Sequence, residues 1–258
     1  MRVCDEFLPT LDVSVFEGIT SQTSPEDRRS LLALQGGVKA RNQTYAYLEI
    51  GSFLGWSLQP YLFDTGCTKV YSIDKRCSIA PDDRDGASTI IYQDNTSANM
   101  LRLLKQVNEA GVRKIICLEG DAADIDARKI DSPPAFAFID GEHTYSAVLA
   151  DFEFCLQVVA LDGLIAFHDS YIIYPALEEI CARLKRQRRA FKFWKLAGSV
   201  SVVSFDLQFA DRTPHIQSLI DDNLQAWKKF SAGQRIKKVL PRPAFQMLKK
   251  VLVSSSQG

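Results

Sequence analysis

The chain has 258 residues, of which 46% are hydrophobic and 24% charged, the make-up of an ordinary soluble globular protein with one large domain or a domain plus appendages. No run of about 18 apolar residues is present, so no membrane span is expected. The N-terminus lacks the basic-then-apolar pattern of a signal peptide, so a cytoplasmic protein is expected. The net charge of zero conceals an asymmetry: residues 1–179 carry 15 basic and 27 acidic side chains, residues 180–258 carry 16 and 4. An acidic body with a basic C-terminal third predicts that the tail contacts its own body, an anionic surface or an anionic partner. The six cysteines (Cys4, Cys67, Cys77, Cys117, Cys155, Cys181) form no C-x-x-C pair, which predicts reduced structural thiols and no zinc site.

Residues 1–40 read as a helical lead-in. Ser24 is placed to cap a helix that Pro25 opens and Glu26 and Asp27 favour, running to about Leu34 and stopping at Gly36-Gly37. Strands then alternate with helices: a strand at Tyr45–Ile50, a short or kinked helix at Leu54–Phe63, a strand at Lys69–Ile73, a helix at Asp94–Ala110, strands at Lys114–Leu118 and Ala135–Ile139, a helix at Tyr145–Leu161, a strand at Leu164–Phe167 and a helix at Pro175–Arg189. Phe191–Lys195 and Val200–Phe205 are expected to pair across Gly198 as a final antiparallel hairpin. This alternation predicts a doubly wound α/β sheet over 41–206. Residues 77–93 read as a long excursion after the second strand, the kind of loop that often carries function. Beyond that domain, 207–258 reads as a basic helical extension: one helix over 215–230, a break at Pro241-Arg242-Pro243, and a short basic amphipathic helix over Ala244–Val253.

The turn after the first strand reads Glu49-Ile50-Gly51-Ser52-Phe53-Leu54-Gly55-Trp56-Ser57. Gly51 allows a sharp turn and a close approach to a ligand, and the helix start that follows can hold a carboxylate. Asp74 ends the second strand 23 residues later, where an acid can accept from both hydroxyls of a ribose. Phe53 and Trp56 occupy the second and third glycine positions of a dinucleotide fingerprint, and no G-K-[ST] exists, so a pyrophosphate or P-loop ligand is disfavoured. A nucleoside without phosphates suits this loop, and S-adenosylmethionine fits, with its amino-acid end at Gly51 and its ribose at Asp74. Asp121, after the third strand, can accept from an adenine amino group or cap a helix.

Two further strand ends carry chemistry: Phe138-Ile139-Asp140-Gly141-Glu142-His143-Thr144-Tyr145 and Ile165-Ala166-Phe167-His168-Asp169. Acids and imidazoles at such ends gather at the rim where open α/β sheets bind ligands, and can assemble a metal site and a base. Helix capping is the alternative role for Asp140 and Asp169, core packing for His168, and a helix-start position for His143 and His215.

These stretches, with Ser72-Ile73-Asp74 and Glu119-Gly120-Asp121-Ala122, resemble the class I S-adenosylmethionine-dependent methyltransferases, and more narrowly the metal-dependent O-methyltransferases of the catechol-like and sugar-modifying types. The resemblance spans roughly residues 44–206. It implies a seven-stranded sheet with a terminal antiparallel hairpin. It implies that the loop of Glu49, Gly51, Ser52 and Ser57 approaches the methionine end, Asp74 the ribose, and Asp121-Ala122 the adenine. It also carries Asp140 and Asp169 over as ligands of a divalent cation, with His168 either a third ligand or a support for Asp169. His143 stands where the catechol type has its lysine base and the sugar-modifying branch a histidine.

Methyl transfer to a hydroxyl needs the hydroxyl's proton removed. A hard cation such as Mg²⁺, bound by carboxylates, lowers the hydroxyl's pKa, and an imidazole of ordinary pKa near 6.5 suits the base. The expected function is O-methyl transfer to a small molecule or a glycan. The alternatives are a non-catalytic cofactor-binding scaffold that docks through its basic third, and a hydroxylase-like or hydrolytic metal enzyme on the same fold. The basic tail suggests peripheral attachment to an anionic membrane, the acidic body argues against nucleic acid, and relatives' habits suggest a homo-oligomer.

Overall fold

A computed structural model of the chain describes residues 4–21, 23–77, 79–82 and 88–239. Two helices, α1 (Cys4–Phe7) and α2 (Pro25–Arg41), precede β1 (Tyr45–Ile50). There follow α3 (Gln59–Phe63), β2 (Cys67–Asp74), β3 (Ile79–Asp82), β4 (Ser88–Ile91), α4 (Ser97–Asn108) and β5 (Ile115–Glu119). The second half holds β6 (Pro134–Ile139), α5 (Tyr145–Val158), β7 (Leu164–Phe167), α6 (Tyr174–Arg186), β8 (Lys192–Lys195), β9 (Ser201–Ser204) and α7 (Pro214–Val239).

Seven strands form one sheet in the order β5-β2-β1-β6-β7-β9-β8. The first five are parallel, and β9 runs antiparallel to both β7 and β8. The doubly wound sheet and its terminal hairpin are thus as expected. The order of strand addition reverses between the parallel neighbours β1 and β6: β1 leads outward to β2, β6 leads the other way to β7. Such a switch point leaves a crevice at the strands' C-terminal ends.

Alternate residues of the strands feed two cores. Tyr47, Val70, Phe136, Phe138 and Val202 pack on one face with α2, α3, α4 and α7. Leu48, Ile50, Tyr71, Ile73, Ala137, Ile139, Ile165 and Phe167 pack on the other with α5 and α6. The lead-in joins the first core through Cys4, Phe7, Val15 and Phe16, so residues 4–41 are built into the body.

Several boundaries differ from expectation for physical reasons. α2 begins as read, with a reciprocal capping box between Ser24 and Asp27, but it runs through Gly36-Gly37 to Arg41. Gly37 does not stop the helix; it lets the Phe209 ring approach, and a Cβ there would lie 2.5 Å from Phe209 Cζ. Leu54–Phe63 is no single helix: Trp56–Leu58 forms a 3-10 turn and Pro60 sits in the first turn of the five-residue α3. The 77–93 excursion contains the antiparallel pair β3–β4, which the sequence pattern did not reveal. Helix α7 reaches Val239, and its Trp227 and Phe230 pack edge-on against Tyr171 and Tyr174. All six cysteines are free. The amphipathic helix expected over Ala244–Val253 lies outside the described residues. No described helix is long and apolar enough to cross a membrane.

Candidate active site

The loops at the switch point are stitched to one another by backbone bonds. Gly51 N–H donates to Ile73 O at 2.8 Å, Asp140 N–H to Ile50 O at 2.9 Å, His168 N–H to Ile139 O at 3.0 Å and Gly120 N–H to Asp74 O at 3.0 Å. Carbonyls in the last two positions of the strands therefore fix where each neighbour's loop departs. Gly51 has φ +89°, and a Cβ on it would fall 2.3 Å from Asp140 O, so only glycine fits at this crossing.

Beside the crossing lies a cavity of about 400 Å³. Its walls are Gly51 and Phe53 after β1, Asp74, Lys75 and Cys77 after β2, Gly120–Asp124 after β5, Asp140–Glu142 after β6, and Ser146, Ala147, Ala150 and Asp151 of α5, with Tyr92 and Asn95. Phe53 and Tyr92 meet edge-to-face at 5.0 Å. Asp74 is 8% exposed and accepts from Phe53 N–H at 2.8 Å, Arg76 N–H at 2.7 Å and Asn95 Nδ2 at 3.2 Å. Lys75 reaches across the cavity mouth, 2.7 Å from Asp121 Oδ1 and 3.0 Å from Glu142 Oε2.

Of the residues expected at the cofactor, Gly51, Asp74, Asp121, Ala122 and Asp140 line this cavity. Glu49, Ser52 and Ser57 do not; they are buried beneath the loop. Ser57 Oγ donates to Glu49 Oε1 at 2.5 Å, Tyr47 OH to Glu49 Oε2 at 2.6 Å, and Ser72 Oγ to Ser52 Oγ at 2.9 Å. Burial pushes the Glu49 carboxyl up to about 8 despite those two donors, with Asp140 and Asp74 adding to the rise. These three residues support the loop.

The ends of β6 and β7 converge. Ligand atoms of Asp140, His143 and Asp169 all lie within 4.8 Å of one another, a donor set of two carboxylates and an imidazole that fits a divalent cation. His143 Nε2 is 3.3 Å from Asp169 Oδ2 and 3.9 Å from Asp140 Oδ1. Asp169 holds φ +50°, a left-handed conformation that aspartate tolerates better than most residues. His168 lies between carboxylates: Nδ1 is 3.1 Å from Asp140 and 3.4 Å from Asp169, and Nε2 is 3.4 Å from Asp27. Burial disfavours its charge, but Asp140, Asp169 and Asp27 outweigh burial and raise its pKa well above the usual 6.5. Burial likewise pushes against ionised Asp140, and the His168 and His143 imidazoles overcome it, holding Asp140 below the usual carboxylate range. Both imidazoles thus lie beside the two acids, His168 with its second nitrogen also facing Asp27 and His143 within the Asp140–Asp169 cluster.

Sequence reasoning missed Asp27 as part of this site, reading it only as a favourable helix-start acid. Its carboxylate accepts from Ser199 N–H at 2.6 Å and Ser199 Oγ at 3.0 Å as well as facing His168. Burial opposes its charge, but His168, Ser199 and Ser24 together hold its pKa far below the ordinary range. Ser199 O in turn accepts from Ser170 N–H at 2.9 Å and from Ser170 Oγ, next to Asp169. No local signal links residues so far apart in the chain. Lys75, Arg76 and Asn95 were also passed over, although the places of Lys75 and Arg76 directly after Asp74 offered a clue.

The sheet order, the glycine crossing and the acid-lined cavity define a nucleoside-binding fold of the class I methyltransferase kind. Residues 48–170 match the family model described as a methyltransferase domain. That stretch is a methyltransferase domain. The O-methyltransferase NovP is similar in fold, with a TM-score of 0.58 at 12% identity over 78% of this chain and 98% of that one. Cofactor-bound Rv0187 from MTB has a TM-score of 0.50 at 11% identity over 78% of this chain and 90% of that one. No curated protein sequence matches the chain significantly.

Proposed function

We propose that the protein transfers a methyl group from S-adenosylmethionine to a hydroxyl oxygen of a small-molecule or glycan acceptor, assisted by a divalent cation, Mg²⁺ by preference. The observation that carries this reading is the convergence of Asp140, His143 and Asp169 at the rim of the cavity that the methyltransferase fold sets aside for its cofactor. Asp140 borders both places, since it lines the cavity and belongs to the cluster.

Asp140 and Asp169 would hold the cation, with His168 fixing both carboxylates. A bound Mg²⁺ would supply Lewis acidity and a fixed position for acceptor oxygens. Asp74 takes the ribose hydroxyls, and the Gly51 turn, with no side chain in the way, lets the methionine end approach the backbone. His143 takes the acceptor's proton, which leaves an oxygen nucleophile aimed in line with the sulfonium carbon. Most of the rate gain comes from alignment of nucleophile, methyl and sulfur. The basic C-terminal third would hold the enzyme near an anionic membrane surface.

The proximity of His143 Nε2 to Asp169 favours a second role, that of third cation ligand. One experiment separates the two. Methyl transfer from labelled cofactor to polyol and catechol acceptors should stop on chelation and return with Mg²⁺. His143→Ala should slow transfer by roughly 10²-fold or more while cation affinity holds if His143 is the base; a parallel loss of cation affinity assigns it as a ligand. Unchanged turnover removes both roles.

A further inference from the structure

One acid that lines the cavity has no part in this chemistry. Asp151 lies on α5, four residues after Ala147 and on the same helix face. It is 7% exposed and lines the cavity together with Ala122, Ala123, Ala147 and Ala150. Its Oδ2 is directed at Gly141, where an added Cβ would lie 3.3 Å from it. Among the described residues its carboxyl accepts no hydrogen bond, and Lys75 acts on it through charge alone. Burial pushes its pKa up to about 7, with Lys75 opposing and Glu142 adding to the rise. The Asp151 oxygens are not among the fully enclosed polar atoms that lack partners; they open on the cavity, where a ligand's donor can reach them.

The other acids deep in this cavity are already committed. Asp74 accepts from Phe53, Arg76 and Asn95, and Asp121 is paired with Lys75. Around Asp151 the walls are alanine methyls from two elements, the turn after β5 and helix α5. Small apolar walls on either side suit a flat ring, and a lone carboxyl at the edge suits a ring that bears an N–H. Adenine has both features, with apolar faces and one exocyclic amino group.

We infer that Asp151 reads the base of the cofactor, its carboxyl accepting the hydrogen bond of adenine's exocyclic amino group. This rests on the S-adenosylmethionine reading of the cavity and adds to it a residue from α5. Asp121 then keeps its bond to Lys75 at the cavity mouth, and the selection of adenine falls to the group that lacks a partner.

The test is calorimetric and uses the full chain with two ligands: S-adenosylhomocysteine and its analogue with purine in place of adenine, which lacks only the amino group. The wild type should prefer S-adenosylhomocysteine by about tenfold or more. Asp151→Ala should lose affinity for S-adenosylhomocysteine by a similar factor and bind both ligands alike, the signature of two changes that remove one interaction. Asp151→Asn, which keeps an acceptor oxygen, should retain the preference. An Ala variant that keeps the wild-type preference, or an Asn variant that loses it, overturns the assignment. Without ligand, Asp151→Ala should melt no lower than wild type. A variant that fails to fold would reveal a structural partner for the carboxyl and overturn the assignment as well. Failure of the wild type to bind either ligand would instead remove the cofactor reading beneath it.

Discussion

At the scale of single residues, the site depends on places where one side chain, or none, is allowed. Gly51 combines φ +89° with a backbone oxygen 2.3 Å from any added Cβ. Gly51→Ala should destabilise the fold by roughly 3 kcal/mol or more, because backbone rather than a flexible side chain must move. Calorimetry with S-adenosylhomocysteine should show binding lost even below the melting temperature. Glu49 makes a different prediction. Its ordinary value is 4.5 and burial raises it to about 8, so between those values the unfolded chain has released a proton that the fold retains. Stability from this group is complete below about pH 4.5 and falls as pH rises to about 8, a loss on the order of a few kcal/mol. Glu49→Gln should flatten that slope, measured as urea midpoints at pH 5 and pH 8.5; equal slopes would show that Tyr47 and Ser57 keep the carboxylate ionised.

At the scale of elements, α2 holds two adjacent glycines with opposite surroundings. A Cβ at Gly36 would meet only Leu8 Cβ at 3.9 Å, whereas one at Gly37 would meet Phe209 Cζ at 2.5 Å and Thr213 Oγ1 at 2.9 Å. Gly36→Ala should raise stability by up to about 1 kcal/mol through helix propensity. Gly37→Ala should lower it by about 1–3 kcal/mol through overpacking. Thermal melts of the two variants check the pair, and a gain at both positions would show that the Phe209 segment yields. This pair also shows what sequence could and could not reveal. Strands β1, β2, β5, β6 and β7 were legible because their apolar runs end in Gly51, Asp74, Glu119, Asp140 and His168. The Ser24 cap was legible because capping is local. The passage of α2 through Gly36-Gly37 was not, since the partner that favours glycine lies 172 residues onward at Phe209. Asp140, His143 and Asp169 were legible as a constellation, but the surroundings of His168 were not, because Asp27 reaches it from outside the strand pattern.

At the scale of the whole molecule, charge is divided along the chain. The described part of α7 presents exposed Lys228 and Lys229, and further basic residues follow it. Binding to vesicles containing anionic lipid should be measurable by co-sedimentation and should fade as salt rises, because the attraction is screened within about 10 Å at 0.1 M ionic strength. Equal partitioning onto neutral vesicles would remove the electrostatic account. Removing 240–258 should weaken that binding in the same assay.

The bond from Ser199 to Asp27 joins groups 172 positions apart. During synthesis, Asp27 leaves the ribosome early and has only the local donors of Ser24 until Ser199, between β8 and β9, has emerged. That bond can therefore form only after the strands that carry Asp140 and Asp169 have been made. A nascent chain halted before residue 199 would lack the anchor that holds Asp27 beside His168.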